Sequence, residues 1–573
     1  MGIKHFFHWF KNQFGQNIHK IKKEQQLQDV GVQIDTLLID MNGIFHTSAQ
    51  KVYEYGNFKP APSLLTSKRH STQTSLQLQI KLFKDVCMTV ESILNIAKPT
   101  KRVILCVDGP APLSKQNQQR QRRFRSAKEA TDDSLFNSNC ITPGTKFMDH
   151  LTKYIDWYIR KKINSDSYWQ SIQVIFSSEK VPGEGEHKLV NYIRCYGNQS
   201  ESYCICGLDA DLIMLALGTH MPKFYILRED TYSTSNDFFC IDVGKISKNL
   251  SNMMKWKEDK YRFNHKSAID DFIFLCFMLG NDFLPHIPSI EIIENGIELM
   301  LEVYRQVGTS YGHITNNIGG RVQFNPKTLG VMLGTIGQHE KENFERKLMK
   351  KKSFFADEVL ENCSVQVEDK WVVDIDKYKN DYYTSHFPDG TDEEKLCHQY
   401  LEGMQWVLSY YTQGVPNWKW NFPYHYAPPA STLSLYTTNF AFPRYGRTIP
   451  STAFQQLLCV LPPKSANLIP EPLGELLTDE TSPLTKFCPT DFKVDLSGKR
   501  KEWEGIVLLP QVDYDIVREC YLEKFILVSD QNKKLNLVGR TKVYEYIPGL
   551  PGDFKSFYGN IEKCCVRSVD FDM

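Results

Sequence analysis

An α/β fold built on a largely parallel sheet, with a second region packed against it, is what the sequence predicts, on three observations. Short apolar runs alternate with amphipathic stretches through the first half of the chain. Five segments end an apolar run with acidic residues. At 573 residues the chain is too long for one ordinary core. Parallel sheets carry their chemistry in the loops beyond the carboxyl ends of the strands, so acids at those ends matter most.

In chain order, Phe6, Phe7, Trp9 and Phe10 stand among His and Lys at helical spacing and predict a packed amphipathic helix. Met1-Gly2 invites an N-myristoylation reading, but Phe6 stands where Ser or Thr is wanted. Thr36–Asp40 and residues 102–108 read as strands, with residues 76–97 helical between them. Residues 147–162 read as a helix, and residues 172–176, 186–195, 203–208 and 211–217 continue the alternation. Residues 303–396 are mixed and charged, with Lys350-Lys351-Lys352 near the middle, and predict a peripheral or inserted layer. From residue 397 the chain turns aromatic and proline-rich. That composition predicts a mixed α+β companion region ending in short strands at 505–509 and 525–528. The expected division is therefore 1–302, 303–396 and 397–573.

A hydrophobic share of 41% and a charged share of 24% describe a folded globular chain. The net charge of +1 hides a basic stripe: Lys or Arg at 98, 101, 102, 115, 120, 122, 123, 125 and 128, against the single acid Asp108. The 15 cysteines are scattered through apolar runs and read as reduced thiols. Neither Cys204/Cys206 nor Cys564/Cys565 has the second pair that a zinc site needs. No apolar run approaches membrane-spanning length.

The acids are Asp40 in LLIDMNG, Asp108 in VILCVDG, Glu184 and Glu186 in VPGEGEHK, Asp209 and Asp211 in ICGLDADL, and Asp282 in MLGNDF. One Asp after a strand is ordinary turn or cap chemistry. Seven acids that converge repel one another unless divalent cations neutralise them. Oxygen ligands without accompanying Cys favour magnesium or manganese. Two such ions about 3.5–4 Å apart can activate water and stabilise the leaving oxygen of a phosphodiester. Glu184 and Glu186, two apart, share a face only in extended backbone, so the pair is expected in a loop or strand end, as are Asp209 and Asp211.

In SKQNQQRQRRFR, Lys115, Gln119, Arg122 and Arg123 stand at i, i+4, i+7 and i+8 and line one helix face. Such a face is usually solvated. A few residues after Asp108, with guanidinium's two-point grip on phosphate, it points to a pocket for a terminal phosphate. His46, six residues beyond Asp40, either stacks on a base or sits hydrogen-bonded in the core; spacing does not separate the two. Trp418 and Trp420 pose the same choice between platform and core.

With these segments in hand, the chain resembles the Xrn family of 5′-to-3′ exoribonucleases. The likeness rests on IDMNGIFH, KQNQQRQRRFR, NCITPGTKFM, PGEGEHK, GLDADLIML, GNDFLPHIPS, WVLSYYTQGVPNWKWNFPYHYAP and WEGIVLLPQVD, in family order. The resemblance implies a flap-nuclease-like (PIN) sheet and a metal centre formed by Asp40, Asp108, Glu184, Glu186, Asp209, Asp211 and Asp282. It implies 5′-monophosphate recognition by Lys115, Gln119, Arg122 and Arg123, and a first base held between His46 and a tryptophan near Trp418–Trp420. It also implies magnesium or manganese, as two ions, an RNA substrate with a 5′ monophosphate, and a decapping or RNA-processing partner. A cytoplasmic monomer is expected, with a nuclear setting left open by the short basic run Lys499-Arg500-Lys501. Lys4-His5 depart from the family's usual proline before a basic residue, and neither zinc-knuckle cysteines nor a long C-terminal extension is evident, as in a compact member.

Two other readings stay in view. A flap-type DNA nuclease shares an acidic two-metal centre, but FPYHYAP argues against it and no helix-hairpin-helix is recognisable after Asp282. A non-catalytic RNA-binding scaffold would be marked by lost acids, and none is lost.

Overall fold

Where β-branched and apolar residues run unbroken, as in Thr36–Asp40, the backbone enters a strand buried on both faces. The computed structural model describes residues 3, 5–22, 24–58, 74–129, 136–230, 237–350, 355–549 and 552–573. Met1, Gly2, Lys4, Lys351 and Lys352 lie outside the described residues. Among the described residues, seven strands come from the first half: β1 (Ile18–Ile21), β2 (Thr36–Asp40), β3 (Arg102–Cys106), β4 (Gln173–Ser177), β5 (Tyr203–Cys206), β6 (Phe224–Glu229) and β7 (Phe238–Asp242). They pair in the order β1-β7-β6-β5-β2-β3-β4, and Thr541–Tyr546 and Val566–Phe571 extend the sheet beyond β4. β6, β5, β2, β3 and β4 run parallel; the flanking strands are antiparallel.

The order carries the functional consequence. From β2 the chain moves to β3 and β4, whereas from β5 on the other side of β2 it moves away to β6. The carboxyl ends of β2 and β5 therefore flank a point where the winding reverses, which opens a crevice in sheets of this kind.

Helices cover both faces. The Ser75–Ala97 helix is capped by Thr74 and Gln77 in a reciprocal box and buries Leu82, Val86, Val90 and Ile93 against the sheet. The Phe6–Phe14 helix buries Phe6, Trp9, Phe10 and Phe14, as its spacing predicts. Residues 303–396 fold as helices and two hairpins, Thr315–Ile318 with Arg321–Phe324 and Ser364–Val367 with Lys370–Val373. Their buried Tyr304, Phe324, Leu333 and Phe344 share one apolar cluster with the sheet's helices. The Gly296–Tyr311 helix runs across 302/303, and Glu393–Gln413 across 396/397.

A third cluster gathers residues 454–535 around Phe124, whose burial is worth roughly 2–3 kcal/mol. Here Ile506–Leu508 is a strand as expected, but residues 525–528 are not. Phe525 ends the Tyr514–Phe525 helix, and the Val528 N–H donates to its carbonyl in a turn that buries Val528 and exposes Ile526 and Leu527. An apolar run too short to show a period takes its form from whichever residue finds the core. The two strands that return to the first sheet, Thr541–Tyr546 and Val566–Phe571, have no local signal that says where they pair. All fifteen cysteines are free thiols, and among the described residues no helix is long and apolar enough to cross a membrane.

Candidate active site

β2 delivers Asp40 at its last position, where the side chain accepts from the Asn42 N–H at 3.4 Å and caps the helix Met41–Tyr53. Asn42 also clasps Asp108, just past β3. Its Nδ2 donates to Asp108 Oδ2 at 3.0 Å, and its Oδ1 accepts from the Asp108 N–H at 2.9 Å. Glu184 occupies the N-cap of the Gly185–Tyr196 helix and Glu186 its first turn. The pair thus straddles a helix start, not the extended segment its spacing suggested. Asp211 likewise sits at the N-cap of Leu212–Gly218 with αR backbone. Helix N-termini carry partial positive charge, which favours carboxylates there.

Close approach explains the glycine between the glutamates. A Cβ on Gly185 would stand 2.8 Å from Asp40 Oδ1 and 3.3 Å from Asp108 Oδ1. Its N–H donates to Asp108 Oδ1 at 2.6 Å, so backbone and acid meet where a side chain cannot fit.

Glu186, Asp209 and Asp211 each offer an oxygen within 4.8 Å of the others. Glu186 Oε2 and Asp211 Oδ1 are buried and make no hydrogen bond. Burial, and then Asp211, hold the Glu186 carboxyl well above the usual range, while burial and Asp209 push Asp211 up to about 7. Asp40 is raised well above its ordinary value by burial, then by Asp108 and Asp209. Orphaned carboxylate oxygens held this reluctantly ionised fit a hard divalent cation.

Lys115 brings a positive charge into this field. Its Nζ lies 2.5 Å from Glu184 Oε2 and 2.7 Å from Asp282 Oδ2. Burial works to lower its pKa, but Asp282 and Glu184 hold the ammonium well above its ordinary value. Burial likewise pushes Asp282 up, yet Lys115 outweighs it and keeps that carboxyl below the usual range. Lys115 therefore binds the acids themselves as well as facing the cavity.

A cavity of about 770 Å³ lies between the two sets of residues. Asp40, Asp108, Glu184, Glu186 and Asp209 line it together with His46, Lys115, Gln119, Arg122 and Arg123. Asp211 and Asp282 are not part of its lining. Arg122 is exposed and makes no hydrogen bond or ion pair to any described residue. Arg123 donates to Thr142 Oγ1 at 2.8 Å, and burial followed by Arg122 lowers its pKa to about 9. Gln119 is steadied at 3.5 Å by Gln456. His46 is half-buried in the same wall, and burial, then Arg122 and Arg123, lower it to about 4, so its ring is neutral near pH 7.

Neither Trp418 nor Trp420 lines this cavity. Trp420 stacks on Trp406 at 5.0 Å and packs against the core. Trp418 is half-buried, and its carbonyl accepts from the Leu113 N–H at the start of the basic helix. Three residues escaped the sequence reading. Asn42 clasps Asp108, the Tyr410 hydroxyl donates to Glu184 Oε1 at 2.8 Å, and buried Lys188 donates to the carbonyls of Val107 and Ser178 at 2.7 and 3.0 Å. Asn42 stands two residues after Asp40 and was open to suspicion; Tyr410, 226 residues from Glu184, was not.

Comparison with known proteins extends this geometry. A family profile described as "XRN 5'-3' exonuclease N-terminus" matches residues 1–230. One described as "Xrn1 helical domain" matches residues 262–374 and 356–523. The "5'-3' exoribonuclease 2 homolog" of Drosophila melanogaster is 28% identical over 100% of this chain and 76% of its own length. The "5'-3' exoribonuclease 1" of Saccharomyces cerevisiae is 28% identical over 98% of this chain, which spans 46% of that protein. The solved catalytic core of Rad2 in complex with DNA substrate aligns at 14% identity with TM-score 0.32, over 72% of this chain and 87% of that one.

Proposed function

The chain belongs to the family of XRN 5′-3′ exonucleases, and from that premise we propose that it hydrolyses single-stranded RNA bearing a 5′ monophosphate, one mononucleotide at a time, in RNA decay. The observation that carries this reading is the single cavity that five acids line together with Arg122 and Arg123. Guanidinium groups grip phosphate oxygens in pairs, and only a chain end brings a phosphate to such a cavity. A cap or triphosphate adds bulk and charge, and the reading expects such ends to be refused.

In this reading Arg122, Arg123, Gln119 and Lys115 hold the terminal phosphate, and neutral His46 stacks on the first base. Trp418, tied by its backbone to the basic helix, is the better of the two tryptophans for the opposite face. Asp40, Asp108, Glu184, Glu186, Asp209, Asp211 and Asp282 would hold two ions of magnesium or manganese, which when bound would supply an activated water and charge neutralisation at the leaving oxygen. Asn42 and Gly185 orient Asp108, and Tyr410 orients Glu184. Along the chain, residues 1–302 carry the acids, residues 303–396 form a peripheral layer, and residues 397–573 brace the basic helix. We place the activity in the cytoplasm, on a monomer supplied by a decapping or RNA-processing partner.

The test is a magnesium-dependent time course on 3′-labelled RNA with a 5′ monophosphate, triphosphate or hydroxyl, alongside matched single-stranded DNA and a branched DNA. Loss of the monophosphate RNA alone, without intermediate lengths, supports the reading. Cleavage restricted to branched DNA, or inertness toward every substrate, would sink it.

A further inference from the structure

Between Glu402 and Glu471 the chain contains no acidic residue, although 67 of its 573 residues are Asp or Glu. Much of that stretch is core, but residues 440–452 run along the surface without helix or strand, none of them fully buried. Their anchors recur every third residue. Phe442 packs on Phe324 with ring centroids 4.9 Å apart, and the Tyr445 hydroxyl donates to Glu402 Oε1 at 2.9 Å. Thr448 Oγ1 accepts from the Trp418 N–H at 2.9 Å, and Ser451 Oγ accepts from Gln116 Nε2 at 2.8 Å. Arg444 and Arg447 fall between these anchors. Both are exposed, and neither makes a hydrogen bond or ion pair to any described residue.

Exposed cations are ordinarily just solvated, and position sets these apart. The Trp418 carbonyl accepts from the Leu113 N–H at 2.9 Å, so the Arg447–Thr448 segment stands two hydrogen bonds from the start of the basic helix. Lys419, also exposed, follows Trp418 directly. At 1.5 Å per residue, Arg122 lies roughly 14 Å along that helix from Leu113. Lys115 lies between them, beside Glu184 and Asp282. A strand with its terminal phosphate at Arg122 and Arg123 that passes the acids around Lys115 is therefore directed toward the helix start. There it meets cations that no neighbouring acid in the segment neutralises, and their complement is a polyanion.

We propose that Lys419, Arg444 and Arg447 form a track for the backbone phosphates of the RNA that has yet to reach the acids, on the 3′ side of the linkage being cleaved. Phosphate contacts carry no sequence information, which suits an enzyme that advances along any strand. The inference rests on the exonuclease reading above.

The test uses the full chain, a triple variant carrying Lys419→Ala, Arg444→Ala and Arg447→Ala, and a charge-keeping variant carrying Arg444→Lys and Arg447→Lys. The probes are 5′-monophosphate RNAs, one a tetranucleotide and one about thirty nucleotides long, within and beyond the usual reach of one binding groove. Anisotropy with a chelator present, read against salt, should show the log–log slope for the long RNA fall by about 2 in the alanine variant, at about 0.7 per lost phosphate contact. With magnesium, KM for the long RNA should rise about tenfold, while kcat and tetranucleotide cleavage stay unchanged. The lysine variant should keep the slope, and thermal melting checks that both variants fold. An unchanged slope in the alanine variant overturns the inference and leaves these cations to an acidic protein. Equal losses on the two RNAs overturn it by moving the cations into the cavity, and a lysine variant as impaired as the alanine one overturns it by making their role structural. Absence of cleavage by the unsubstituted chain strikes the exonuclease reading, whereas the salt slope needs no cleavage and decides this one separately.

Discussion

Along the Leu113–Glu129 helix, two arginines end on backbone carbonyls and a third ends on open space. Arg120 donates to the carbonyls of Pro510 and Phe487, and Arg125 to those of Trp503 and Glu502 at 2.8 and 3.0 Å. A turn away, Arg122 faces the acidic cavity with no hydrogen bond to a described residue. The residue type is the same, and the outcome depends on whether an acceptor has been brought opposite. The companion region therefore uses the stripe's own cations to fix the helix, and leaves the remainder for a ligand.

Breaking each side separately sharpens this contrast. The largest effect belongs to the acids that the free face confronts: Asp209→Ala should lower cleavage by at least about a thousandfold, on the order of 4 kcal/mol in the barrier. RNA retention on filters should change little; lost binding with intact cleavage would refute that placement. Among the docked arginines, Arg120→Ala should cost about 2–4 kcal/mol of stability, because the buried Phe487 carbonyl and the partly buried bond to Pro510 lose a charged donor. A denaturant midpoint measures it, and the surviving folded protein should keep its preference for monophosphate ends. Arg122→Ala should do the reverse. Stability should move by less than about 0.5 kcal/mol, while discrimination of monophosphate from hydroxyl ends falls by about 2–3 kcal/mol, roughly fiftyfold. An unchanged end preference would remove Arg122 from the pocket. The smallest effect is expected at exposed Lys128, whose contact with Asp491 is solvent-screened; Lys128→Ala should alter neither quantity by more than about 0.5 kcal/mol.

Much of this architecture was legible in the chain. Thr36–Asp40 matches its strand residue for residue, and residues 102–108, 172–176 and 203–208 overlap β3, β4 and β5 because each is an unbroken apolar run. The acids stood out because each follows such a run. What misled were short-range geometric arguments. Glu184 and Glu186 met through a helix start that only Gly185 permits, and residues 525–528 had too few positions to show a period. Lys115 read as a phosphate ligand from its spacing, while its salt bridges join it to Glu184 and to Asp282, the latter on a loop 167 residues away.

The order of apolar runs and the acids that end them were thus determined by the sequence itself, since burial and turn chemistry act over a few residues at a time. Which cation meets which acceptor, where the last two strands pair, and why Tyr410 answers Glu184 were decided only by tertiary structure. Those partners are separated by hundreds of residues, and their union depends on a core that closes the distance and excludes the water that would otherwise satisfy them.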